Sequence, residues 1–258
     1  MSYPPRPART DRGFTLIEMS IVLMIIALVT AGIFVSKSLI RAAELRSIIA
    51  DATNYSAAVS NFRTQYRGLP GDITNASNYW ASATNGNGDN MVTGAERFQF
   101  WYQLNQAGFI EQTVTGVQGA GGSEDFVMGS NTPTARALNG GFAAYTPNLS
   151  ASTTTTYTVP NAGTTITLGA AVGSNLGPPT GRMLFPSDAY TIDLKVDDGV
   201  PGTGKWIANL NSAQFGWANA CTTDYTGDSY TGGYNYPGAG YNLSLQRAAC
   251  SFFILTGY

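Results

Sequence analysis

A single acidic residue, Glu18, lies within an otherwise uncharged apolar segment that runs from Phe14 to Val35. A carboxylate at such a position is costly, because apolar surroundings solvate its charge poorly. It therefore needs a partner of opposite charge. No basic residue lies between Phe14 and Val35, so the segment itself offers no partner that would neutralise Glu18.

The apolar segment has the length of a membrane span. As a helix its 22 residues extend about 33 Å, close to the roughly 30 Å hydrocarbon core of a bilayer. Arg6, Arg9 and Arg12 precede it, so the positive-inside rule predicts a cytoplasmic N-terminus and a translocated remainder. A secretory signal would carry a small-residue cleavage site after the apolar run. No such site stands out there, whereas a Gly-Phe junction precedes the run.

The residues from Arg12 to Glu18, followed by the apolar run, resemble the processing site of type IV pilins and type II secretion pseudopilins. The resemblance implies that a prepilin peptidase cuts after Gly13 and that Phe14 becomes an N-methylated N-terminus. It also implies that Glu18 pairs with the α-amino group of a neighbouring subunit during filament assembly, since two opposite buried charges cost less than one alone. The resemblance extends to about Tyr66, but the proline that kinks many pilin helices is absent from this stretch.

The expected fold is α+β and pilin-like, with a long N-terminal helix packed on an antiparallel β-sheet with long loops. Beyond the span, apolar residues recur at three- and four-residue steps, as on one face of a helix. These residues are Leu45, Ile48, Ala52, Tyr55, Val59, Phe62 and Tyr66. Gly68 and Pro70 end the helix. We predict a leader at 1–13, a helix at 14–67 (transmembrane at 14–35, amphipathic at 36–67) and a periplasmic or extracellular globular domain at 68–258.

Residues 85–96 have the spacing of a twelve-residue EF-hand calcium loop. The candidate ligands are Asn85, Asn87, Asp89, Met91 through its carbonyl, Thr93 and Glu96. Asparagine replaces both the usual first aspartate and the turn glycine, and only two carboxylates remain, so the pattern predicts a calcium site of low affinity. The alternative is a polar turn that caps the following helix through Thr93 and Glu96.

Residues 199–206 approach the pattern of a phosphate-binding P-loop. Trp206, however, stands where Ser or Thr must hold magnesium, so we predict no bound nucleotide. The alternation of residue types in 190–196 and 205–210 predicts two strands of a β-hairpin joined by a Gly/Pro turn. Asp193, Asp197 and Asp198 indicate a second cation site beside this hairpin, but Lys195 among them argues against it.

Composition excludes several classes of function. The chain has no histidine, which removes His-based hydrolases and the usual zinc ligand. Its net charge is −2, without a basic cluster after the first dozen residues, so we expect no nucleic-acid partner. The two cysteines, Cys221 and Cys250, predict one disulfide; the alternative is two unrelated buried thiols.

The rest of the chain is less informative. We predict variable loop over most of 113–182, with a thin hairpin formed by 153–159 and 164–168. Residues 250–255 predict a last strand that returns to the sheet. The tail from 217 to 258 is rich in tyrosine and glycine. It either forms a disulfide-tied loop with a small core of its own or binds sugars or a neighbouring subunit.

The sequence thus predicts a structural subunit, major or minor, of a type IV pilus or pilus-like secretion filament, and no enzyme. Its expected partners are prepilin peptidase, the inner membrane and other filament subunits. We expect it first as a single-pass inner-membrane protein and then in an extracytoplasmic filament. One alternative is a membrane-anchored extracytoplasmic binding module for glycans or surfaces, and another is an anchored enzyme that uses a carboxylate pair such as Asp197 and Asp198.

Overall fold

A computed structural model describes residues 13–122, 125–146, 163–172, 177–209, 221–223, 225–226, 229–230 and 240–257. In chain order the elements are α1 (Leu16–Tyr66), a 3-10 turn (Ala76–Asn78), α2 (Glu96–Gln106), β1 (Gly141–Tyr145), β2 (Thr165–Gly169), α3 (Pro186–Val196), β3 (Trp206–Asn209), β4 (Tyr225–Thr226), β5 (Ser229–Tyr230) and β6 (Ser251–Leu255). The expected α+β class is confirmed. The chain divides into two compact units, Met1–Ala43 and Glu44–Tyr258.

The predicted long N-terminal helix is present as α1, which is 51 residues long. In the first unit, the large apolar side chains of α1 from Leu16 to Ile33, together with Val35, Leu39 and Ile40, are exposed. In the second unit the predicted apolar face is buried, and its residues below 7% exposure are Leu45, Ile48, Ala52, Tyr55, Val59 and Phe62. The same helix therefore changes from an all-apolar surface to a one-sided apolar stripe along its length.

A four-stranded antiparallel sheet, in the order β1-β2-β6-β3, forms the centre of the second unit. The predicted last strand is confirmed as β6, which pairs with both β2 and β3. The Tyr55 ring of α1 packs edge-on against Phe142 of β1, with ring centroids 4.9 Å apart, and against Trp101 of α2 at 5.0 Å. The sheet, α1 and α2 consequently share one hydrophobic core.

The predicted hairpin at 190–196 and 205–210 is wrong in its first half. Residues 186–196 form α3, in which Pro186 occupies the first turn and Ala189, Ile192 and Asp193 are buried. These three positions follow helical spacing, and proline at the first turn is favourable because its missing N–H would have no partner in the helix. The second half is a strand, β3, but it pairs with β6.

The expectation of mostly variable loop in 113–182 is also wrong for residues 141–145. These residues form β1, which pairs with β2 and was not predicted because Gly-Phe-Ala-Ala-Tyr contains no β-branched residue. The predicted strand at 164–168 is present as β2, whereas its proposed partner at 153–159 lies outside the described residues.

Replacing Phe142 by alanine tests this core. Phe142 is completely buried, so Phe142→Ala should lower the free energy of unfolding by about 3–5 kcal/mol. Leu194→Ala is the control, because Leu194 is 57% exposed and its replacement should cost less than about 0.5 kcal/mol. Urea unfolding of both variants, followed by tryptophan fluorescence, measures the difference. Equal effects of the two variants would contradict the assigned core.

Candidate functional site

The start of α1 is built by reciprocal hydrogen bonds between Thr15 and Glu18. The backbone N–H and the hydroxyl of Thr15 both donate to Oε2 of Glu18, each at 2.8 Å, and the N–H of Glu18 donates to the Thr15 hydroxyl oxygen at 3.2 Å. This is a capping box, in which two helix-terminal N–H groups are satisfied by side chains. This neutral partner of Glu18 was not predicted. Thr15 satisfies hydrogen bonds of the Glu18 carboxylate but leaves its charge uncompensated.

The two residues at the predicted cleavage junction are exposed. The Phe14 side chain is 80% exposed, and a Cβ added at Gly13 would meet no atom within 4 Å. Within the described structure, therefore, no packing requirement explains a glycine at position 13.

The following helix surface is apolar on all sides. Every large apolar side chain from Leu16 to Ile33 is at least 41% exposed. Among the described residues α1 is the one helix that is long and apolar enough to cross a membrane. A helix with apolar residues around its whole circumference requires lipid or other protein as its surroundings.

Residues 8–34 match the family model described as the prokaryotic N-terminal methylation motif. The chain carries the signature of type IV pilins and pseudopilins. No curated protein and no solved structure matches the chain. Together with a single apolar N-terminal helix, the pilin signature indicates that the protein is anchored in a membrane.

In the second unit, the predicted calcium loop is folded around an acidic residue that precedes it. One carboxylate oxygen each of Asp72, Asp89 and Glu96 lies within 4.8 Å of the other two. Asp72 accepts hydrogen bonds from the N–H groups of Gly88 at 2.7 Å and Asn90 at 2.9 Å. Burial raises the pKa of Asp72, and these hydrogen bonds oppose the shift.

Close backbone approaches hold Asp72 in this place. Gln103 of α2 accepts a hydrogen bond from the N–H of Gly71 at 2.7 Å. Gly71 has a φ of +84°, and a Cβ there would lie 2.4 Å from the carbonyl oxygen of Glu96. A Cβ at Gly86 would lie 2.3 Å from the Cα of Asp72. These glycines are a sequence signal for the contact, but their partners become visible only in the folded chain.

The other predicted calcium ligands do not all converge on this cluster. The Asn85 side chain accepts a hydrogen bond from the N–H of Ser77 in the 3-10 turn instead. The N–H of Met91 donates to Oδ1 of Asp89 at 2.9 Å, and Asn87 accepts from the N–H of Asp89 at 3.0 Å. Glu96 accepts from the N–H groups of Asn87 and Thr93, both at 3.0 Å. The carboxylates of Asp89 and Glu96 thus accept hydrogen bonds from N–H groups of the same loop. Calcium binding at this loop stays a prediction.

A second acidic group lies near the disulfide. Cys221 and Cys250 are joined, with an S–S distance of 2.03 Å. Tyr241, which lies between them in the sequence, donates its hydroxyl to Oδ2 of Asp193 at 2.7 Å. Burial raises the pKa of Asp193 to about 7; the hydrogen bond from the Tyr241 hydroxyl opposes this shift, and the charges of Asp198 and Asp197 add to it.

The segment that resembles a P-loop connects α3 to β3. A P-loop runs in the opposite order, from a strand through a glycine-rich turn to a helix, and it binds phosphate at the N-terminus of that helix. The glycines of residues 199–206 instead allow the chain to reverse direction, since Gly199 and Gly204 both have a φ of +75°.

Removing the Thr15 hydroxyl tests the capping box. Thr15→Ala should loosen the first turn of α1, so that amide hydrogen exchange of residues 16–19 in detergent micelles becomes roughly fivefold faster. Thr15→Ser is the matched control, because serine keeps the hydroxyl and should leave the exchange rates close to those of the native chain. An unchanged rate in Thr15→Ala would show that these hydrogen bonds do not hold the helix start.

Proposed function

We propose that the protein is a structural subunit of a type IV pilus or a pilus-like secretion filament. Prepilin peptidase removes residues 1–13, Phe14 becomes the methylated N-terminus, and the apolar part of α1 leaves the bilayer to pack among other subunits. The match of residues 8–34 to the methylation motif is the observation that carries this proposal.

The exposed apolar part of α1 supports assembly through this helix. Exposure of large apolar side chains to water around a whole helix is energetically unfavourable. Before assembly, the bilayer covers them. In a filament, the same surface is covered by the equivalent helices of other copies or of related subunits, so one segment serves both as an anchor and as an assembly element.

The charge of Glu18 supports a specific register between subunits. Thr15 satisfies its hydrogen bonds without neutralising it. Cleavage after Gly13 creates a new α-amino group on Phe14, only four residues away in the sequence. In a stack of helices, the amino group of one subunit neutralises Glu18 of an adjacent subunit, because a buried charge is stabilised by a close partner of opposite sign.

The proposed orientation has the arginine-containing leader in the cytoplasm and the second unit outside the inner membrane. The leader carries Arg6, Arg9 and Arg12, and basic segments remain on the cytoplasmic side. The Cys221–Cys250 disulfide supports this orientation, since disulfides persist in oxidising compartments such as the periplasm.

Replacing Gly13 tests the processing step. Gly13→Val should abolish cleavage without disturbing the fold, since a side chain at this position has free space. Gly32→Val is the matched control, because Gly32 also has free space around it but lies inside the apolar helix. Mass spectrometry of the membrane-extracted chain should find methylated Phe14 at the N-terminus of the native and Gly32→Val proteins, and the uncut leader in Gly13→Val.

Two results for the native chain would contradict the proposal. One is an intact N-terminus at Met1, and the other is a cut after Val35. The first result would leave an uncut membrane anchor. The second would indicate an ordinary secretory signal, in which the apolar segment is discarded.

Replacing Glu18 by glutamine separates its role as a helix cap from its role as a charged partner in assembly. Glutamine at this position still completes a capping box, but it carries no charge. Glu18→Gln should therefore remain in the membrane and be cleaved normally, yet form no filaments. Glu111→Gln is the control, because Glu111 is an exposed acid of the second unit. Sheared cell-surface fractions and electron microscopy measure filament yield in strains that supply the assembly machinery.

Normal filaments from Glu18→Gln would show that Glu18 acts only as a helix cap. If no strain that supplies the machinery forms filaments containing this chain, while the membrane-held protein binds glycans or surfaces, the anchored binding module would replace the proposed function.

A further inference from the structure

The C-terminal end of α3 carries three carboxylates that face one another. One oxygen each of Asp193, Asp197 and Asp198 lies within 4.8 Å of the other two. Asp193 is completely buried. Its Oδ2 receives the Tyr241 hydroxyl, but its Oδ1 is buried and has no hydrogen-bond partner among the described residues. A buried carboxylate oxygen without a donor is strongly disfavoured unless a further group satisfies it.

Lys195 does not share a face with Asp193, because residues 186–196 form a helix and not the predicted strand. On the strand predicted from alternation, Lys195 would share a face with Asp193 and Asp197. On α3, residues four apart lie on the same face and residues two apart do not. The Asp193 carboxylate lies on the side of the Asp197 carboxylate, with an oxygen of each within 4.8 Å of the other, whereas Lys195 is two residues from Asp193 on α3 and is exposed.

The negative charges of these three carboxylates are also unfavourable because they lie at the C-terminal end of α3. The C-terminal end of a helix carries a partial negative charge, which favours basic rather than acidic side chains. Asp197 is the C-terminal cap residue of α3, and Asp198 follows it directly. A positive ion at this end would compensate both the carboxylates and the helix dipole.

The other two aspartates are held in fixed positions by the loop that leads to β3. Asp197 accepts hydrogen bonds from the N–H groups of Lys205 and Trp206, the latter at 2.7 Å. Asp198 accepts from the N–H of Val200 at 2.8 Å and from the Thr203 hydroxyl. The loop thus presents both carboxylates toward Asp193 before any ligand binds, which lowers the ordering cost of binding.

We propose that Asp193, Asp197 and Asp198 bind a divalent cation, and that calcium is the ion that fits best. The donors are all oxygens, which suit calcium and magnesium rather than softer metals. Calcium accepts six to eight oxygens in irregular arrangements, whereas magnesium demands a near-ideal octahedron. Asp198 is exposed, so water can complete the coordination shell from that side.

The ion would connect three parts of the second unit. Asp193 belongs to α3, Asp197 fixes the start of β3, and Tyr241 belongs to the segment closed by the Cys221–Cys250 disulfide. Tyr241 also forms a bridge with Thr222, next to Cys221. Calcium binding should therefore stabilise the whole second unit rather than a single loop, and it is independent of whether the chain assembles into filaments.

Thermal unfolding of the full-length chain in detergent, after treatment with a chelator and dialysis, tests this proposal. Calcium chloride at about 100 times the dissociation constant should raise the unfolding midpoint by about 5–10 °C. Asp193→Asn, which removes the charge but keeps the shape, should lose the part of this shift that remains when the predicted calcium loop is disabled by Asp89→Asn.

Two controls assign the effect to this site. Asp188→Asn removes an acid from the same helix outside the cluster, and Asp89→Asn removes one from the predicted calcium loop. Asp188→Asn should keep the whole shift, and Asp89→Asn should keep the part that depends on Asp193. No shift in the native chain, equal shifts in Asp89→Asn and in the double variant Asp89→Asn/Asp193→Asn, or a shift that disappears in Asp89→Asn alone would overturn the proposal.

A second variant covers the case in which Asp193→Asn does not fold. Asp198 is exposed, so Asp198→Asn should fold normally and still weaken calcium binding by about tenfold or more, as loss of a charged ligand does. Isothermal titration of calcium into this variant and the native chain gives the two dissociation constants. Equal constants would overturn the proposal.

Discussion

The hydrogen bonds between Thr15 and Glu18 fix the start of α1. They order the first turn of α1 within a single chain, so the helix begins without help from another subunit. They do not neutralise the carboxylate, and the surrounding helix surface is apolar and exposed. The helix is therefore well formed within one chain, but the charge of Glu18 lacks a partner of opposite sign and the apolar surface around it is uncovered. Packing against other helices would supply both.

In the second unit, the C-terminal part of the same helix packs into a hydrophobic core. From Leu45 onward, one face of α1 is covered by α2 and by the sheet, through contacts such as the edge-on packing of Tyr55 on Phe142. The polar side chains of α2 fix the loops around it, since Gln103 binds the backbone of Gly71 and Gln99 binds that of Gly116. A single long helix thus joins a segment that needs lipid or other subunits to a core that folds within the chain.

The sequence predicted the features that depend on local periodicity and composition. The apolar run, the buried stripe after Leu45 and the last strand all carry such patterns. The strand predicted at 190–196 is wrong because Tyr-Thr-Ile-Asp-Leu-Lys-Val fits both strand and helix periods. Pro186 precedes it and favours the start of a helix. The approach of Asp72 to the 85–96 loop depends on contacts across the fold, and no spacing rule reveals it. Thr15 followed three residues later by Glu18 is a capping-box pattern, and this local partner of Glu18 was not among the predictions.

A structure of the assembled filament at side-chain resolution would show whether the Phe14 amino group neutralises Glu18 between subunits. The N-terminal nitrogen of Phe14 should lie within hydrogen-bond distance, about 2.7–3.2 Å, of the Glu18 carboxylate of an adjacent subunit. Glu18 should also remain within the capping box of its own chain. A filament in which this carboxylate faces water, or in which the Phe14 amino group contacts no carboxylate, would rule out this pairing as the basis of assembly.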